Sequence, residues 1–202
     1  MGFPPSGDAA GSLPIAESPD RNRPQQAFAA QEVGRSELIP GLLQSAEYVS
    51  AVFALHPELS SEAKTKTIAA RLERQAVLYD RHREFHFVIC EHVLRWRICP
   101  PAAMATQLDR LVSLSRLPNV TIGVLPLSRL MPDFPMTCFS MYDDRLAIVE
   151  TFHSEITTHD PRDVGIYLSK FAAFDAAALY EDDMRALTEG IRDEFFQEQE
   201  SA

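Results

Sequence analysis

The sequence predicts an α+β domain, a small mixed sheet of about four strands packed by helices at its N-terminal and C-terminal ends. Three observations carry that prediction. Residues 85–90 and 120–125 are short runs of β-branched, aromatic and other apolar residues that read as buried strands. Between them, residues 102–117 carry apolar side chains at helical spacing, so a strand, a helix and a strand follow as a crossover that sets the two strands parallel. From residue 161 to 196 the apolar period is helical throughout.

The elements follow in order. Residues 1–27 are rich in Pro, Gly, Ser and Asp and short of large apolar residues, so this tail is expected to stay disordered. A short helix is expected over 28–36. Pro40-Gly41 marks a turn that opens the folded region; Leu42, Leu43, Ala46, Val49 and Phe53 after it fall at helical spacing, and a helix is expected over 44–54. His56-Pro57 ends it. Ser60 or Ser61 caps a second helix, which runs to residue 79 with Ile68, Leu72, Val77 and Leu78 at near-helical spacing.

Glu91 sits at the end of the 85–90 strand. Pro100-Pro101 starts the central helix, whose stripe is Met104, Leu108, Leu111, Val112 and Leu114, and Pro118-Asn119 stops it. After the 120–125 strand, residues 136–141 and 146–151 are strands joined by the polar turn Tyr142-Asp143-Asp144-Arg145. Two helices complete the domain. The first carries Val164, Tyr167, Leu168, Phe171, Phe174 and Leu179, and the second Met184, Leu187, Ile191, Phe195 and Phe196. The domain is read as 28–196, with 197–202 as a frayed end.

Composition narrows the function classes. An apolar share of 46% and a charged share of 24% are those of a globular protein in water. No apolar run approaches the roughly 18 residues that span a bilayer, and no cationic start precedes an apolar block. A cytoplasmic location without membrane contact is expected. Cys90, Cys99 and Cys138 are widely spaced, which argues against a zinc site or a disulfide framework and suits buried thiols. No cofactor and no metal are expected.

Charge is uneven: residues 139–202 hold 15 Asp/Glu against 5 Lys/Arg, while the rest carry 14 of each sign. Such a surface repels phosphate backbones, so direct nucleic-acid binding is not expected. It suits a basic partner protein or a solvated helix face.

Four residues stand out as candidate chemistry, with His153 as a fifth. Glu91 and Glu150 each end a strand, and if those strands are neighbours the two carboxylates converge for acid–base work or ligand contact. A structural role, as buried carboxylates on an Arg or a helix end, is the simpler account. His153 follows closely and shares a strand face with Glu155, a weak metal-ligand pattern set against plain exposed polarity. Arg95-Trp96-Arg97 pairs the only Trp with two cations and reads either as the wall of a ligand pocket or as packing. With 8 Gly in the chain, neither a phosphate-cradling loop nor a nucleophile elbow is present.

The order of motifs resembles the C-terminal domain, of unknown function and sometimes called antitoxin-like, of XRE-type helix-turn-helix regulators from high-GC Gram-positive bacteria. The matching strings are Ile39-Pro40-Gly41-Leu42-Leu43-Gln44-Ser45-Ala46-Glu47-Tyr48, Ala70-Arg71-Leu72-Glu73-Arg74-Gln75, Glu91-His92-Val93-Leu94-Arg95, Met104-Ala105-Thr106-Gln107-Leu108 and Pro118-Asn119-Val120-Thr121-Ile122. Val124-Leu125-Pro126, Val149-Glu150 and the helix from Val164 to Leu179 complete the series. Members usually carry a DNA-binding head before the Pro-Gly turn; here the tail 1–27 lacks that pattern.

The resemblance weakens at Arg97-Ile98-Cys99-Pro100 and at Met131-Pro132-Asp133-Phe134-Pro135, where loops can acquire new roles. It implies a non-catalytic regulatory module that binds a small-molecule ligand or a partner regulator protein, with a homodimer as an option. The alternative is a stand-alone enzyme of specialised metabolism that uses Glu91, Glu150 and His153 as acid–base residues. A further alternative is a regulator whose DNA-binding head lies upstream of Met1.

Overall fold

A six-stranded sheet organises the computed structural model, which describes residues 29–34, 38–134, 137–151 and 154–200. In chain order the elements are β1 (Ala29–Gly34), α1 (Ala46–Ala54), α2 (Ser61–Arg74), β2 (Glu84–Cys90), α3 (Glu91–Arg95), α4 (Pro101–Leu114) and β3 (Val120–Leu125). Then come β4 (Phe139–Tyr142), β5 (Leu146–Glu150), β6 (Glu155–Thr158), α5 (Pro161–Ala177) and α6 (Glu181–Glu200), and short 3-10 turns lie at Gly41–Leu43 and Gln75–Tyr79. The strand order is β3-β2-β1-β4-β5-β6. β1 joins a parallel pair, β2 and β3, to the antiparallel ribbon of β4, β5 and β6. The class is α+β as expected, with two strands beyond the expected four. Among the described residues no helix is long and apolar enough to cross a membrane.

The two added strands have different causes. The helix expected over 28–36 is instead strand β1 across its described residues, because its backbone ladders with β2 on one side and β4 on the other. Tertiary pairing there overrides the helical preference of Ala-Ala-Gln-Glu. β6 is polar and lies beyond the last strand expected from sequence, which ends at residue 151. Thr151 N–H donates to Ser154 O at 2.8 Å, and Glu155 to Thr158 register antiparallel with Glu150 to Ala147. The tail 1–27, Met136 and His153 lie outside the described residues.

Both faces of β2 and β3 are covered. On one face His86 meets Phe171 of α5, with ring centroids 4.9 Å apart, and further along the sheet Phe139 of β4 meets Tyr167 of α5 at 5.0 Å. The alternate residues Phe85, Phe87, Ile89, Val120, Ile122 and Val124 are buried as well. α6 lies antiparallel to α4: Arg192 pairs with Asp109 at 2.8 Å, while Arg185, earlier on α6, reaches Ser115 just past the end of α4. Its buried stripe is Met184, Thr188, Ile191 and Phe195. Phe196, expected with the core, falls off that stripe and is 43% exposed. The end expected to fray from 197 stays helical to Glu200, where Arg97 holds Glu198 on the last turns. α2 buries no residue, contrary to its apolar spacing; its Ile68 and Leu72 are half-buried.

The entrance turn is held by buried amides. Gln107 of α4 accepts from Ser45 N–H at 2.5 Å and donates to Leu43 O at 2.9 Å. Gln75 donates to Gly41 O and Gln44 O, each at 2.9 Å, and Gln44 donates to Ile39 O at 2.7 Å. Arg110 donates to Gln75 Oε1 and Arg71 to Gln44 Oε1, which orients each amide with its NH2 toward the turn carbonyls. Ser45 then caps α1 by accepting from Tyr48 N–H at 3.1 Å. Replacing Gln107 by Ala strands one buried donor and one buried acceptor. The expected cost in urea denaturation is about 2–5 kcal/mol, and a loss below about 1 kcal/mol would show the turn holds without it.

Candidate functional site

β3 is an edge strand, and its outer edge is covered only in part. In a strand beside a parallel neighbour, alternate residues turn both main-chain groups to the same side. Phe85 N–H bonds to Asn119 O at 2.9 Å, which points the odd-numbered residues of β3 toward β2 and the even-numbered ones outward. Val124 agrees with that phase. Its N–H donates to Leu179 O at 2.9 Å and its carbonyl accepts from Leu179 N–H at 2.8 Å, forming an isolated antiparallel bridge. Val120 N–H donates to Leu117 O at 3.2 Å. Ile122 lies between the two, and no group among the described residues takes its outward N–H or carbonyl.

A cleft of about 310 Å³ opens on this stretch, lined by Ser115 and Leu117, by Val120, Thr121 and Ile122, and by Tyr180 and Glu181. Tyr180 lies against the strand so closely that a Cβ on Gly123 would sit 2.5 Å from its Cε1. Glycine there is a packing requirement. Glu181 has a φ of 48°, in the left-handed region. That costs a non-glycine residue on the order of 1 kcal/mol, and it turns the chain off β3 into α6.

Behind the cleft wall the Tyr180 hydroxyl joins two ionisable groups. It donates to Asp175 Oδ1 and lies 3.0 Å from His86 Nε2, which is itself 3.1 Å from the same Asp175 oxygen. Burial lowers the His86 pKa, outweighing the opposing pull of the Asp175 carboxylate. Burial raises the Tyr180 hydroxyl pKa, and its hydrogen bond to Asp175 adds to the rise. This phenol therefore stays protonated at neutral pH and serves as a donor that fixes the ring.

The residues singled out in sequence are distributed differently. Glu91 is the buried first residue of α3: one carboxylate oxygen accepts from Arg95 Nε at 2.9 Å and the other from Leu127 N–H at 2.8 Å. Arg95 also reaches Glu194 of α6 at 2.6 Å, and Arg97 pairs with Glu198 while stacking on Phe195. Both cations of the Arg-Trp-Arg string thus face α6 carboxylates, and Trp96 is 49% exposed. Glu150 is exposed at the end of β5, beside Glu155 of β6. β2 and β5 run the same way but β1 and β4 lie between them, so Glu91 and Glu150 are about three strand spacings, about 14 Å, apart. They do not converge. The Cys99 thiol is pushed up to about 11, chiefly by burial, which disfavours the nucleophilic thiolate.

His86, Asp175, Tyr180 and the Ile122 edge escape a reading by side-chain motif. Two local signals point toward them: a histidine alternating with Phe85 and Phe87 in a buried strand needs a polar partner, and a glycine inside 120–125 marks a close approach.

Two outcomes are expected. Because the folded-state value of His86 lies below its free value of about 6.5, its neutral form is the one the fold favours. Its contribution is present in full above that pH and is lost as pH falls toward the folded value. Wild type should therefore lose stability over this range more steeply than His86→Phe in denaturation at stepped pH. Gly123→Ala should force Tyr180 off the strand, at about 1–3 kcal/mol and with a changed tyrosine fluorescence; unchanged stability and spectra would contradict the close contact.

No curated protein matches the chain. A family model described as "Domain of unknown function (DUF5753)" matches residues 30–189, running from β1 through the β3 cleft into the first turns of α6, and the chain belongs to that family.

Proposed function

We propose that the domain is a non-catalytic regulatory module, of the kind carried by XRE-type regulators, that binds a small ligand in the β3 cleft and passes its occupancy to a partner regulator protein. The observation that carries this reading is the cleft itself. It is bounded by an uncovered strand edge and by the joint between α5 and α6, and it has the size of a small ligand site. A ligand there would touch Tyr180 and Glu181, so it would bear directly on how α6 leaves the sheet. The acidic surface of the last third fits a module that does not bind nucleic acid itself.

The enzyme reading has less in its favour. Both oxygens of Glu91 are engaged, and Glu150 stands several strands away. A thermal-shift screen of metabolites on wild type and on Thr121→Trp, which fills the cleft, separates the readings. A ligand present at about 100 times its Kd should stabilise wild type by about 2.7 kcal/mol and leave the variant unmoved. Turnover of a substrate that the cleft-filling variant retains would overturn the proposal.

A further inference from the structure

We infer, resting on the cleft as a binding site, that its ligand is the free amino terminus of an extended peptide, set antiparallel to β3 with its first residue opposite Ile122. Val124 is bridged to Leu179 in antiparallel sense. Had the chain continued extended, Glu181 would have come opposite Ile122. The left-handed Glu181 instead diverts it into α6 and leaves the Ile122 N–H and carbonyl facing the cleft. Ile122 is 2% exposed, and main-chain groups buried to that degree are almost always bonded. A donor and an acceptor on one residue at a strand edge match the carbonyl and amino group of one incoming residue.

Direction follows from charge. A strand antiparallel to β3 that takes up where Tyr180 leaves off begins with its N-terminus beside Glu181. The ammonium can then donate to both the Ile122 carbonyl and the Glu181 carboxylate, while its own carbonyl accepts from Ile122 N–H. The opposite direction would bring a C-terminal carboxylate to Glu181. The nearby Arg185 is engaged with Asp182, at 2.7 Å and 3.3 Å, and reaches Ser115 at 3.5 Å. No ion pair is formed by Glu181 among the described residues. At the far end Leu117 closes the edge by accepting from Val120 N–H, so one residue is held and the rest of the peptide turns out to solvent.

The test uses the full chain, labelled with nitrogen-15, and a mixed pool of dipeptide amides with free amino termini, compared with the same pool acetylated. The free pool should shift the Ile122 amide resonance and those of its neighbours. Acetylation should weaken binding at least about tenfold, and Glu181→Gln should weaken the free pool by a similar factor while leaving the acetylated pool unchanged. Equal or tighter binding of the acetylated pool, or shifts confined to other surfaces, would overturn the inference. If metabolites bind wild type but not Thr121→Trp while no peptide pool shifts Ile122, the peptide inference falls and the cleft reading stands. If neither kind of ligand perturbs the cleft, both fall.

Discussion

The two hydrogen bonds between Val124 and Leu179 are the constraint on which the C-terminal half depends. They cover Val124, one of the three outward-facing residues of the β3 edge, and they anchor the joint between α5 and α6 to the sheet. Everything nearby follows from where that anchor lies. Tyr180, one residue on, is laid over Gly123 and tied to His86 and Asp175. Glu181, one residue further, accepts a left-handed backbone so that α6 can start. The cleft lies on the remainder of the edge, where the Ile122 main-chain groups are left without a partner among the described residues because the bridge stops one residue pair short.

Two polar networks secure the helices on either side of this edge. At the entrance turn, three glutamines take four of the main-chain carbonyls and one N–H that a tight Pro-Gly turn cannot satisfy by itself. At the other end Arg95, Arg97 and Arg192 hold α6 against α3 and α4. Part of the acidity concentrated after residue 139 is therefore spent inside the molecule, on Glu194 and Glu198, rather than on a partner. Exposed pairs of this kind contribute little singly, but Arg95 also serves the buried Glu91, whose second oxygen receives the chain as it leaves β3.

What could be read from sequence was what depends on side-chain period. α4 and β3 are bounded by prolines, and β2, α4 and β3 are all filled with apolar residues at strand or helix spacing; they formed within a few residues of expectation, with β2 and β3 parallel. β1 was illegible because Ala-Ala-Gln-Glu prefers a helix in isolation, and only its two neighbours make it a strand. β6 was illegible because a polar, mostly exposed edge strand has no apolar alternation to detect. The site was harder still. Glu91 and Glu150 drew attention as strand-end carboxylates, yet their separation depends on strand order, which no local pattern encodes. The Ile122 edge is main-chain chemistry, and no side-chain motif announces it.

Amide hydrogen exchange along β3 reads each main-chain donor of the edge separately. Thr121 and Gly123 face β2, and Val124 is held by Leu179; Ile122 alone among these has no protein acceptor among the described residues. In the free protein the Ile122 amide should exchange much faster than its neighbours on either side. Protection of Ile122 equal to that of Gly123 and Val124 would mean that the edge is already closed, and the account of the cleft would be wrong.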